Sequence, residues 1–205
     1  MTVKLVGSTS GSVSLQAPAS TTGGAHRVLT LPDKNGTVAT TSDDFGKILQ
    51  IVSVSKGDIQ SWTGTAETEI TNLAPTITPS SASNKILVMG QLYTGTNVAS
   101  ITAYNVVKRS INSGSFSTIG NHATSSDSAS TNAHGHGGTF SGTWNLMNTS
   151  MHYLDSPNTT NSIVYKWFYR NENSSATTYV NRTGRNSTVY HPKTISVLTL
   201  FEIAA

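Results

Sequence analysis

More than a third of this chain is built from three residue types: 29 serines, 31 threonines and 16 asparagines among 205 residues. Their short polar side chains compete for the backbone's own hydrogen bonds, so they favour strands, turns and caps over helix interiors. A helical fold is thereby excluded. Apolar residues supply 36% of the chain, against about 45–50% in ordinary globular domains. Charge does not fill the gap, because 13 basic and 10 acidic residues leave only +3. That is too little to hold a chain unfolded or to steer it to a polyanion. Cysteine is absent, which removes disulfides, thiolate nucleophiles and thiolate metal ligands.

The apolar residues that remain recur at period two in short runs separated by Ser/Thr/Asn/Gly turns, the pattern of half-buried strands. The clearest runs are 47–55, 84–94, 100–110, 139–154, 161–171, 177–182 and 193–203. In the last, Ile195, Val197, Phe201 and Ile203 share one face, and Leu198 and Leu200 the other. A strand apolar on both sides belongs in the middle of a sheet or at a seam between subunits, since an exposed edge of that kind invites aggregation. Roughly eight to ten strands at this spacing predict an all-β fold, a jelly-roll type β-sandwich.

Residues 1–44 differ from 45–205. Two short alternating pieces, 10–19 and 26–40, each end in a proline-containing turn, and Asn35-Gly36 marks another turn. Neither piece has the side-chain volume to bury a face alone, and such strand-turn units gain a core from their neighbours. We therefore expect an extended, anchoring or shaft-like N-terminal segment (1–44), a sandwich head (45–205), and assembly as a homotrimer. No apolar run approaches the ~18–20 residues of a membrane span or the core of a signal peptide, which predicts a soluble chain with no membrane insertion.

Little in the sequence carries chemistry. Glu67 and Glu69 point to one face of an extended run, while Asp58, Asp127, Asp155 and Glu172 fall in turns, so no carboxylate pair is favoured for glycoside cleavage. Nucleophile elbows, phosphate-cradling glycine loops and His-Glu-x-x-His helices are missing, and no enzyme is expected. Trp62, Trp144 and Trp167, with Tyr153, Tyr165, Phe168 and Tyr169, offer a sugar-stacking platform or, more simply, a core. Lys108-Arg109 and the pair Arg182 and Arg185 read as solvated rims, too sparse for a nucleic-acid track. The sharpest local signal is His134-Gly135-His136, inside a long polar stretch from 120 to 138. Alternate histidines on an extended segment project to one side; three copies on a threefold axis would give six nitrogens, enough for a transition metal. The plainer alternative is two exposed histidines in a polar loop, with no cofactor at all.

Several stretches carry a family resemblance. SGSVSLQAPA and VLTLPDKNGTVAT in the leader resemble repeated segments of tailed-bacteriophage fibre and virion structural proteins of the marine and cyanobacterial type. GKILQIVSV, ITPSSASNKILVMGQLY, HYLDSPNTTNSIVYKWFYR and the closing FEIAA look like the jelly-roll heads attached to them, leaving 111–140 unmatched. The resemblance implies a non-enzymatic structural role in the virion: a short trimeric fibre or a tail- or neck-associated protein that contacts the host surface. Its partners would then be other virion proteins, bound through the N-terminal segment, and a glycan or protein of the host. Capsid decoration or cement is the alternative, and a carbohydrate-binding module a second one.

Overall fold

The computed structural model describes residues 2–6, 12–16, 46–120, 135–137, 142–185 and 192–205. The chain divides into two compact units, Met1–Thr40 and Thr41–Ala205. In the first, β1 (Thr2–Val6) pairs antiparallel with β2 (Ser12–Gln16), Thr2 opposite Gln16 and Val6 opposite Ser12. The 26–40 piece of the leader lies outside the described residues.

The second unit is an all-β sandwich, with no helix among the described residues. Its strands are β3 (Ile48–Lys56), β4 (Gln60–Thr63), β5 (Thr68–Glu69), β6 (Thr76–Ile77), β7 (Lys85–Thr96) and β8 (Ala103–Ile111). They continue with β9 (Ser117–Thr118), β10 (Gly135–Gly137), β11 (Met147–Asp155), β12 (Ile163–Asn171), β13 (Thr177–Val180) and β14 (Ser196–Ile203). One sheet has the order β3-β14-β7-β11, with β13 and β4 continuing beyond β14 along the far end of β7. The other has β8 and β12 at its centre, flanked by β9 and β10 on one side and by β5 and β6 on the other. If β5 with β6, and β9 with β10, are each taken as one interrupted strand, the main strands in chain order run 1-8-3-6 in the first sheet and 2-7-4-5 in the second. This is the strand order of a jelly roll.

Strict alternation builds the core. On β12, Ile163, Tyr165, Trp167 and Tyr169 point inward and are essentially inaccessible, whereas Val164, Lys166, Phe168 and Arg170 face outward. Opposite them, β14 contributes Leu198 and Leu200, and β7 contributes Ile86, Val88 and Leu92. Gly90 occupies the inward position between Val88 and Leu92, where a Cβ would lie 3.1 Å from the Trp167 ring and 3.0 Å from Leu198. The missing side chain in mid-strand is the space the indole fills. As the sequence predicts, the closing strand β14 is central, paired with β3 on one side and β7 on the other.

The structure departs from the sequence reading in four places. Of the 139–154 run, the described residues 142–146 are not strand, and β11 begins at Met147. Asp155 is the last residue of β11 rather than a turn residue, and Arg109 turns inward rather than lining a solvated rim. Within the long polar stretch, Gly135–Gly137 forms β10, with His136 opposite Tyr104 at the edge of the second sheet.

Candidate functional site

The two sheets present very different outer surfaces. On the β8/β12 sheet, Lys108 pairs with Glu67 and lies over the Phe168 ring at 5.2 Å. Lys166 reaches Glu69 at 2.8 Å and lies over Phe116, while Phe116 and Phe168 meet edge to face at 5.2 Å. Arg170 covers Tyr104 at 5.4 Å. Glu67 and Glu69 do face the same way, as their spacing implies, and each is held by a lysine. On this face both lysines are paired with carboxylates, and the Phe116, Phe168 and Tyr104 rings are each covered by a cation.

The outer face of the β3-β14-β7-β11 sheet has none of this. Strand register places Ile51 opposite Phe201, Phe201 opposite Leu87, and Leu87 opposite Leu154, an apolar row crossing all four strands. Ile51 is 59% exposed and Leu154 52%. On one side of this row lie Ile48, Ile203 and Lys85; on the other lie Ser53, Thr199, Met89 and His152. The next row brings Val197 and Gln91, and Tyr93 follows on β7. No outward residue of these four strands is a carboxylate, and Lys85, bonded to Ser156, is the one lysine or arginine. Met89, Gln91, Ser150, His152, Val197 and Thr199 surround an open depression of 360 Å³. Both edges of this sheet, β3 and β11, are nine residues long. The edges of the other sheet are broken into pieces of two or three residues, one of the ways proteins blunt an edge.

Two buried ionic knots hold the sandwich beneath this face. Asp155, from β11, takes both oxygens to Arg109 Nη1 on β8 and accepts a hydrogen bond from the Tyr165 hydroxyl of β12 at 2.8 Å, joining the two sheets. Burial, reinforced by the Asp155 charge, pushes the Tyr165 phenol well above its ordinary range. Glu202, 1% exposed on β14, accepts at Oε1 from the Ser80 amide (2.7 Å), the Ser80 hydroxyl (2.7 Å) and Asn84 Nδ2 (2.6 Å), and at Oε2 from Gln50 Nε2 (2.9 Å). Burial opposes its ionisation, but the donors from Gln50, Asn84 and Ser80 outweigh it and hold the carboxyl below the usual range. Both carboxylates are structural, and sequence reasoning missed the role of each.

The aromatic candidates divide sharply. Trp167, Tyr165 and Tyr169 are core; Trp62 packs partly buried against it; Trp144, at 55%, and Tyr153, at 38%, are exposed. His134 lies outside the described residues, and for His136 only the strand is described. Among the described residues no group of three metal-ligating side chains comes together.

No family model and no curated protein matches this chain. Solved structures give looser likenesses. A structure of infectious bursal disease virus, Gt strain, matches 98% of this chain and 46% of its own at 14% identity and a TM-score of 0.38. The VP2 subviral particle of the same virus matches 86% of this chain and 46% of its own at 14% identity and 0.40. Eiger TNF from S. frugiperda matches 75% and 93% at 9% identity and 0.35. The chain spans just under half the length of the viral chains it matches. With identities and TM-scores this low, the likeness carries neither partner nor role over to this chain.

Proposed function

We propose that this chain is a non-enzymatic structural protein of a virus particle, a homotrimer in which the outer face of the β3-β14-β7-β11 sheet is buried between copies. The observation that carries the reading is the Ile51–Phe201–Leu87–Leu154 row on a face without carboxylates. Four adjacent strands at about 4.8 Å spacing and some 30 Å of strand length make a face of roughly 500–600 Å², crossed by the apolar row and approaching the share of one partner in a standard interface. A face with no acid and one peripheral lysine meets a copy of itself without charge repulsion. Two copies stacked face to face would cover the row but leave both long edges, β3 and β11, open. In a ring, one long edge of each copy packs against the face of the next, so every row and one of the two long edges are covered, and three copies make the smallest ring beyond a two-fold pair.

The virion role rests on the resemblance of the leader and head segments to tailed-bacteriophage fibre and virion proteins. In that setting residues 1–44 anchor and the head projects, as a short fibre or a tail- or neck-associated protein that contacts the host. Capsid decoration is the rival placement. Light scattering on the purified chain tests the assembly: we expect about 65 kDa, three times the 21.6 kDa chain. Ile51→Asp with Leu154→Asp should give a folded monomer, because both side chains are solvent-exposed in the single chain. A wild-type monomer, or a trimer indifferent to both charges, removes this proposal. Copies per particle then place the protein, a few tens indicating tail or fibre and several hundred indicating decoration.

A further inference from the structure

One exposed aromatic group belongs neither to the core nor to the apolar row. Trp144 sits in the turn Gly142–Asn145, closed by the Asn145 amide donating to the Gly142 carbonyl at 3.3 Å. A Cβ on Gly142 would lie 2.7–2.8 Å from the indole, so the ring lies close over the Gly142 backbone, and a side chain there would displace it. The turn is pinned from outside, because the Arg185 amide donates to the Thr143 carbonyl at 3.1 Å. Beyond Arg185's neighbours the same strip is rigid: Arg182 stacks on the Tyr179 ring at 3.5 Å and its Nη1 donates to the Thr183 carbonyl at 2.9 Å. Gly95, at the end of β7, packs so tightly beneath that a Cβ would meet the Arg182 carbonyl at 2.5 Å and the Asn145 carbonyl at 3.1 Å.

The result is an indole with one side backed by a glycine, held in a fixed turn, and 55% exposed. Segments 142–145 and 181–185 carry two arginines and no carboxylate, and Arg185 is exposed. An exposed ring normally loses affinity to the ordering of its own side chain, but here that ordering is already in place. We infer that Trp144 is a stacking platform for a single ring of an acidic saccharide, with Arg185 beside it to take the sugar's carboxylate or sulfate. Pyranose C–H bonds on the open indole face supply the apolar contact, Thr143 offers a hydroxyl to a sugar hydroxyl, and the guanidinium supplies charge-assisted bonds. A ring-sized ligand fits this patch better than a protein does, since a protein partner needs an apolar core spread over about 800 Å². The site requires the folded head and not the trimer, so it stands apart from the assembly proposal.

Full-length protein is titrated with hexagalacturonate, a heparin-type hexasaccharide and neutral maltohexaose, followed by calorimetry and by acrylamide quenching of tryptophan fluorescence. We expect binding of an acidic hexasaccharide, with protection of one of the three indoles, the solvent-facing Trp144. Trp144→Ala should weaken binding about three- to tenfold, the equivalent of one aromatic contact, with an unchanged unfolding midpoint. Arg185→Gln should lower affinity for the acidic sugar and flatten its salt dependence. Failure of wild type to bind either acidic probe at ~10 mM overturns the inference, as does Trp144→Ala binding as tightly as wild type. Equal affinity for maltohexaose overturns the assignment to acidic sugars.

Discussion

Glu202→Gln is the substitution whose consequence can be worked furthest from the structure. The wild-type carboxylate receives three donors at one oxygen and one at the other. Glutamine can keep its carbonyl on the Ser80 and Asn84 side, but its amide then faces Gln50 Nε2, donor against donor. Gln50 cannot answer by turning over, because the same nitrogen also donates to the Thr78 carbonyl at 3.0 Å. Each bond to an ionised acceptor is stronger than its neutral counterpart by about 1 kcal/mol, and the lower desolvation of the amide returns part of the sum, so a net loss of about 2–3 kcal/mol is expected. For a unit of this size that is roughly 4–12 °C in Tm. The pH dependence separates the charge from mere shape. A carboxyl held below its ordinary value contributes stability that is complete above about pH 4.3, the unfolded-chain value, and is lost as pH falls through its folded value. Thermal melts at one fixed protein concentration, from pH 7 down to pH 3, should therefore show the gap between wild type and Glu202→Gln narrowing in acid. A gap under ~1 °C at pH 7, or one that stays constant to pH 3, would refute the reasoning.

Asp155→Asn should cost about 1–3 kcal/mol, readable in urea titrations, by removing the counter-charge of the half-buried Arg109 and the ionised acceptor of the Tyr165 hydroxyl. Gly90→Ala should destabilise by about 1–3 kcal/mol, because neither Leu198 nor the Trp167 ring has room to retreat. Adding Trp167→Phe should make that alanine tolerated, a coupling that a double-mutant cycle measures.

The long strands were legible because each holds enough residues to display its period. β12 and β14 alternate cleanly along their lengths, and the two-sided closing strand places itself in mid-sheet. β5, β6, β9 and β10, at two or three residues each, are too short to show any period, and they exist only because a neighbour pairs with them. Sheet order was hidden for a related reason: partners such as Ser53 and Thr199 lie 146 residues apart, and no local pattern encodes that distance. Asp155 was misplaced because Ser156 and Pro157 follow it and resemble a turn. Its parity with Met151 and Thr149, both inward, was the overlooked signal. The same parity test applied to Glu202, in step with Leu198 and Leu200, would have marked a buried carboxylate needing donors. What separates Trp144 from Trp167 is tertiary: Trp167 lies on a strand facing Gly90, and Trp144 on a turn facing solvent.

The position of β14 also fixes when the head can close. Among the described residues β3 has one strand partner, β14, which begins some 140 residues further along the chain. As the chain leaves the ribosome, the β3 run, rich in isoleucine and valine, emerges early and waits through some 140 residues for residues 196–203 to arrive. Until then both of its hydrogen-bonding edges are open. β7 likewise gains its β14 neighbour only at the end. Pairing over such a span is slow, so we expect this sheet to close only once β14 has been made. Any lesion that removes residues 196–203 takes the middle out of the sheet, not its fringe.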